Sequence, residues 1–290
     1  MNIGEKIKNL RLSKLMTQKE LAGNEITRNM LSQIENGAAM PSLHTLIYLA
    51  GRLSVPVGYL VSDSGANEAF YRKYSDYSNI VASYKSGQWE ICRDLCLSCM
   101  IDKDDNELTY MMANASMQLG ISHFNDGNLR AAYKMFEEAT EYSAVTIFET
   151  SGIISCITAY TKIMSMISPT LAIEIPANPI DTEMICNADI CKYAHVLYGD
   201  ESTGTIPEKD WKDQSYYYAA NAIKLVLAKN YEAAIALLSH ILEEDALPRP
   251  VMYFVLSDYE KCCKETNDYK NAYEISRSKM QLFEKLLADI

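Results

Sequence analysis

The sequence predicts an all-α protein: a bundle of five short helices, followed by a solenoid of helical hairpins. Apolar residues in the first 60 positions recur at three- and four-residue spacing between recognisable helix caps. Beyond residue 70 the pattern is helical almost throughout, and a turn-plus-small-residue element returns four times. With 290 residues, 48% of them apolar, the chain can bury a core in either part.

The first helix is marked by Ile3, Ile7 and Leu10, with Lys6, Lys8, Arg11 and Lys14 expected on its other sides. Thr17-Gln18-Lys19-Glu20 reads as a capping box opening a second helix, which ends at Gly23-Asn24. Thr27 can cap a third helix with Leu31 and Ile34 inward, and Gly37 stops it. After Pro41-Ser42 a fourth helix is expected to bury Leu43, Leu46, Ile47, Ala50 and Leu53, and a short fifth helix through Leu60 closes the bundle after Pro56. Two short helices joined by a tight Gly-containing turn inside such a unit are what a helix-turn-helix requires. If Leu31 and Ile34 face the core, a 100° step per residue turns Arg28, Asn29, Ser32 and Gln33 outward. These side chains suit base edges: Arg pairs bidentately with guanine, and Asn or Gln with adenine. Met30, at the edge of that face, either packs on the second helix or touches a thymine methyl.

The wording of residues 17–60 is more specific than its periodicity. It carries T-Q-x-x-L-A, a polar turn, L-S-x-I-E-N-G, P-S-x-x-T-L and L-x-V, and so closely resembles the XRE family of phage-repressor and Cro-like regulators. The resemblance implies a lambda-repressor-like DNA-binding domain over residues 1–63, with double-stranded DNA as partner. It assigns base reading to Arg28, Asn29 and Gln33 and a phosphate anchor to Gln18 at a helix N-terminus. Thr27 adds a phosphate contact or serves only as a cap. The resemblance also implies a structural ion pair between Arg11 and Glu35, so neither is expected to read DNA. His44 has no ligand partner at metal spacing and reads as a helix-surface residue.

A net charge of −11 argues at first against nucleic acid. Its distribution reverses that reading: residues 1–63 carry seven basic and five acidic side chains, and residues 64–290 carry 20 and 33. An acidic body would present only the head to DNA, although excess charge also serves solubility. No membrane span or leader is legible, so a cytoplasmic location is expected. Eight cysteines without framework spacing read as reduced, buried thiols.

Residues 64–69 are small, polar and turn-prone, and are expected to link the head to a body over 70–290. The recurring element of the body is a Gly, Asn or Asp turn, an apolar or aromatic residue, and a small residue three positions later. Its copies are Gly87-Gln88-Trp89 with Cys92, Gly127-Asn128-Leu129 with Ala132, Asn230-Tyr231 with Ala234, and Asp268-Tyr269 with Ala272. The spacings are 40, 102 and 38 residues, and 102 is three times 34, so degenerate copies are expected in the gap. This period resembles tetratricopeptide repeats, in which hairpins bury their faces only by stacking. Between 165 and 213 the signature is not legible, and Pro169, Pro176, Pro179 and Pro207 interrupt helices. Cys92, Cys96 and Cys99 share a helix face but occupy the packing positions of Ala132, Phe136 and Ala139, so they read as core. Cys262-Cys263, and Cys186 with Cys191, lack a completing ligand set. Neither metal nor cofactor is expected, and no catalytic motif is present: no Walker A loop, no H-E-x-x-H, no G-x-S-x-G, no G-x-G-x-x-G.

A head of this type followed by helical repeats resembles the Gram-positive peptide-pheromone-responsive regulators of the Rgg, PlcR and PrgX type. The resemblance implies quorum sensing: a short signalling peptide on the concave repeat surface, and a homodimer built by the repeats. Placing the repeat register on the sequence puts Tyr77, Tyr84, Asn114, Met117, Tyr216, Phe254 and Lys261 on the inner wall, where amide, aromatic and cationic groups suit a peptide. Two further readings stand beside this one: an interaction scaffold whose repeats dock a protein, and a DNA-binding regulator whose repeats only dimerise.

Overall fold

The computed structural model describes residues 2–61, 65–100, 105–171, 189–199 and 207–288. Among the described residues all regular structure is helical, and the chain forms two compact units, Met1–Asp102 and Lys103–Ile290.

The first unit opens with five helices: α1 (Ile3–Ser13), α2 (Gln18–Ala22), α3 (Arg28–Glu35), α4 (Leu43–Leu53) and α5 (Val57–Val61). Their common core is Ile7, Leu21, Leu31, Ile34, Leu46, Leu49, Leu53 and Leu60, with Ile3, Leu10 and Tyr59 packed around it. Gly4 is the point of closest approach: a Cβ there would lie 2.0 Å from the carbonyl oxygen of Ile34, so only glycine lets α1 cross the end of α3. Three details differ from the sequence pattern. In α4, Leu43 and Ile47 are exposed, at 68% and 54%, and Leu49 is buried instead. The buried stripe runs Thr45–Leu46–Leu49–Ala50–Leu53, and at 100° per residue Leu43 and Ile47 fall about 90° and 130° from its centre. Lys6 is buried rather than solvated, because its ammonium donates to the Tyr59 carbonyl at 3.1 Å and lies over the Tyr59 ring. The third concerns the expected linker: α6 (Gly65–Lys85) already begins at Gly65 and pairs with α7 (Trp89–Cys99) within this unit.

The second unit holds α8 (Asn106–Asp126), α9 (Leu129–Val145), α10 (Ser151–Ile167), α11 (Asp189–Leu197), α12 (Gln214–Leu227), α13 (Tyr231–Glu244), α14 (Arg249–Glu265) and α15 (Tyr269–Leu287). The pairs α8/α9, α12/α13 and α14/α15 are hairpins at the expected repeat copies, as α6/α7 is in the first unit. All four turns share one conformation. A left-handed residue comes first: Gly87, Gly127, Lys229 or Asn267, with φ of 71°, 84°, 58° and 62°. The next residue, Gln88, Asn128, Asn230 or Asp268, has φ near −85° and ψ near 70°. Its amide donates back across the turn, to the carbonyls of Ser83, His123, Leu225 and Cys263 at 2.8–2.9 Å. This Schellman closure satisfies orphan carbonyls of the first helix and aims the second back along it. The small residues Cys92, Ala132, Ala234 and Ala272 are all buried.

Between the second and third of these hairpins the described residues hold one helix pair, α10 and α11, where the period allowed two copies. Helix α10 buries Ile153, Cys156, Ile157, Tyr160, Ile163, Met164 and Ile167 and contacts α8, α9, α11 and α14. It ends before Pro169, which opens a short 3-10 turn; Pro207 precedes a second such turn, and Pro176, Pro179 and Cys186 lie outside the described residues. A buried ion pair orders the entry to α12. Lys192 donates to Asp189 at 3.0 Å, and the other Asp189 oxygen accepts the amides of Lys212 and Asp213 at 2.9 and 2.7 Å.

Candidate nucleic-acid interface

The surface that can meet a duplex is built by α2 and α3. Thr17 caps α2 by accepting the Glu20 amide at 3.2 Å, and the Glu20 carboxylate accepts the Thr17 amide at 2.7 Å, the reciprocal capping box. Thr27 caps α3 through the Met30 amide at 3.1 Å. The turn between them starts at Gly23, with φ of 57°. A Cβ there would strike the Tyr48 hydroxyl, which donates to the Ala22 carbonyl at 3.0 Å and ties the turn to α4.

A buried network fixes the helices against one another. Arg11 of α1 donates from Nε and Nη2 to the two carboxylate oxygens of Glu35 of α3, at 2.6 and 3.0 Å, and from Nη1 to the Met16 carbonyl at 2.9 Å. Gln18 of α2 donates its amide to Glu35 at 2.8 Å. Burial pushes the Glu35 carboxyl up, but the hydrogen bonds from Arg11 and Gln18 outweigh it and hold the group below its ordinary value. The Arg11–Glu35 pair is thus the structural link the sequence implied. The part played by Gln18 was not foreseen: its carboxamide faces into this network as well as standing at the first position of α2. Neither the Gln18 nor the Tyr48 contact leaves a periodic signal, because each joins residues distant in sequence.

With Leu31, Ile34 and Glu35 buried, α3 leaves Arg28, Asn29 and Gln33 exposed and Ser32 half-buried; Thr27 is exposed at its start. Met30 is 37% exposed, at the edge of this face. His44 is exposed on α4. The result is a short polar stripe of one cation and two carboxamides on a helix held by caps and by an ion-pair network. Its donors and acceptors match the edges displayed in a major groove.

The seven candidate inner-wall residues divide between the units. Tyr77 and Tyr84 lie on α6; Tyr77 is exposed and Tyr84 meets the Trp89 ring edge-on. In the second unit Asn114, Tyr216 and Phe254 stand at one register position, each 13 residues before the left-handed residue of its own turn. Their helices α8, α12 and α14 are neighbours, α14 touching both others. Asn114 and Phe254 are half-buried, Tyr216 packs edge-on against the buried Tyr193, and Lys261 is exposed. Met117 is buried at 8% and belongs to the packing between helices. Asp258, one turn before Lys261, is a group the sequence reading missed: burial pushes its carboxyl up to about 6, against the opposing pull of Lys261. Cys92, Cys96 and Cys99 are buried in the α6/α7 hairpin, as their packing positions required. Among the described residues no group of His, Cys, Asp and Glu side chains is placed to hold a metal, and no helix is long and apolar enough to cross a membrane.

Capped short helices, a tight glycine turn and an outward polar third helix define a helix-turn-helix DNA-binding domain of XRE type, followed by helical repeats. Residues 7–60 match the family model described as Helix-turn-helix. No curated protein matches the chain significantly. Among solved structures, Bacillus thuringiensis PlcR in complex with the peptide PapR7 and DNA is 15% identical, with a TM-score of 0.23, over 98% of this chain and 96% of that one. ComR from S. thermophilus, in complex with DNA and its signalling peptide ComS, is 16% identical with a TM-score of 0.26, over 89% of this chain and 99% of that one. ComR from Streptococcus vestibularis, in complex with its signalling peptide XIP, is 17% identical with a TM-score of 0.20, over 99% and 93%.

Proposed function

We propose that the chain is a sequence-specific transcriptional regulator in which Arg28, Asn29 and Gln33 read bases while Thr27 and Gln18 contact the phosphate backbone. The observation that carries this is the exposure of Arg28, Asn29 and Gln33 on a helix whose opposite face is fully buried. Gln18 keeps one amide hydrogen and its carbonyl beyond the bond to Glu35, enough to meet a phosphate through water or directly. The head over residues 1–63 serves recognition, and the repeats over 70–290 serve dimerisation and the sensing of a short peptide. Two heads of a homodimer would then engage half-sites about 34 Å apart, and a peptide on the repeats would shift the population of head spacings. The shared register of Asn114, Tyr216 and Phe254 supports the peptide reading, because it sets an amide and two aromatic rings at equivalent places on neighbouring helices.

The test is operator selection from random duplexes, followed by mobility shift with Arg28→Ala and Gln33→Ala. Each variant should lose about 1–3 kcal/mol of discrimination at one base position. Specific binding that survives both substitutions unchanged defeats the assignment. Calorimetry with short secreted peptides tests the sensor half. Saturable heat that Asn114→Ala removes supports it, and capture of only a folded partner protein points to the scaffold.

A further inference from the structure

A cleft of about 420 Å³ opens in the second unit where the end of α8, the segment joining α13 to α14, and α15 meet. That volume lies in the range of small-molecule sites. Arg249 and Lys285 both line it, and neither makes an ion pair or side-chain hydrogen bond among the described residues. In a chain with 38 acidic and 27 basic residues, a cleft lined by two cations and one carboxylate, Asp245, stands out against the field of the whole molecule. Arg249 is also held in place. A Cβ added at Gly127 would lie 3.2 Å from its Cδ and 3.5 Å from its Cβ, so its stem rests on the α8/α9 turn, beside the cleft that the residue lines.

The rest of the lining completes a pattern. Asn125 and Gln281 supply carboxamides, each able to donate and to accept, and the buried Leu247 supplies an apolar floor. Asp245, also in the lining, makes no ion pair among the described residues and can accept an N–H from a ligand. We propose that this cleft binds a small organic anion in which a carboxylate adjoins an amide and an apolar stem, as at the free C-terminus of a peptide. The guanidinium and ammonium take the carboxylate, the carboxamides pair with the adjoining amide, and Leu247 receives the stem. The inference rests on this cleft alone and is independent of the inner-wall reading.

The experiment is calorimetry on the full chain with three probes: N-acetyl-leucine, its carboxamide, and inorganic phosphate. Saturable binding of the acid is expected, with the carboxamide and phosphate each about tenfold weaker or worse, since each lacks half of the recognised chemistry. Lys285→Met should weaken the acid about tenfold, Lys285→Arg should restore it, and neither should alter operator affinity. Arg249→Met should weaken it further, with Lys285→Met as the decisive variant because the Arg249 stem also lies against the Gly127 turn. Equal affinity for acid and carboxamide, phosphate binding as tight as the acid, no saturable binding of the acid, or an unchanged Lys285→Met each overturns the proposal.

Discussion

Replacing Glu35 by Ala removes the carboxylate that receives two hydrogen bonds from Arg11 and one from Gln18. The Arg11 side chain is only 8% exposed, and it would keep a single partner, the Met16 carbonyl. Breaking a buried pair from one side costs about 3–5 kcal/mol, because the surviving charge stays desolvated. At about 1.4 kcal/mol per decade this is roughly a two- to four-decade rise in the opening equilibrium of the bundle. Hydrogen exchange of the α3 amides reads that equilibrium directly. Arg11→Met combined with Glu35→Leu should recover most of the loss, since it removes both charges and fills the space. The same pair has a pH signature. The Glu35 carboxyl titrates below its ordinary value of 4.5 in the folded protein, so its stabilisation is complete above that value and disappears as pH falls through the lower, folded value. Exchange of the α3 amides that changes less than about tenfold in Glu35→Ala would refute the claim that this network sets the angle between α2 and α3.

Lys229 occupies the left-handed turn position, at φ of 58°, where two of the other hairpins carry glycine. Lys229→Gly should therefore stabilise the second unit by up to about 1 kcal/mol in urea unfolding, and Asn267→Gly by less, because asparagine tolerates that conformation. Asp258 has its carboxyl raised to about 6 from 3.8, so the folded state holds that proton more tightly than the unfolded chain does. Stability is lost as pH rises from about 4 to 6, and Asp258→Asn should stabilise the protein at pH 7 by up to about 3 kcal/mol, less what residual solvent screening removes. The gain should vanish near pH 3.5; a pH-independent gain would trace to packing instead.

The head was legible because its information is local. Thr17, Glu20 and Thr27 act on amides three residues away, and Ile7, Leu31 and Ile34 obey one helical period. The repeat turns were legible for the same reason, each marked by a Gly, Asn or Asp ahead of its second helix, although the left-handed Lys229 carried no such signal. What escaped were contacts between segments distant in sequence. The burial of Lys6 depends on Tyr59, and the bond of Gln18 depends on Glu35. The pair of Asp189 and Lys192 shows the limit of local spacing. It is an ordinary i,i+3 pair in sequence, yet it is buried because Asp189 also gathers two amides more than 20 residues away. Helix α10 is apolar on nearly every side, so its period says nothing about which neighbour each face meets.

The cations of the head bound how it can hold DNA. Of seven basic residues, Arg11 is locked to Glu35 and Lys6 to Tyr59, which leaves Lys8, Lys14, Lys19, Arg28 and Arg52 exposed. Even with all five on phosphates, Arg28 included although it is assigned to base reading, the slope of log affinity against log salt is no steeper than about −4.5, and two heads on one duplex give about −9 at most. Fluorescence anisotropy with a selected operator, across a range of salt concentrations, measures this slope at fixed stoichiometry. A slope well beyond −4.5, halved on a duplex with one half-site, requires two heads acting together. If an intact operator gives no more than the single-head value while two chains are bound, the second head makes no backbone contacts, and the paired half-site reading fails even though each α3 remains exposed.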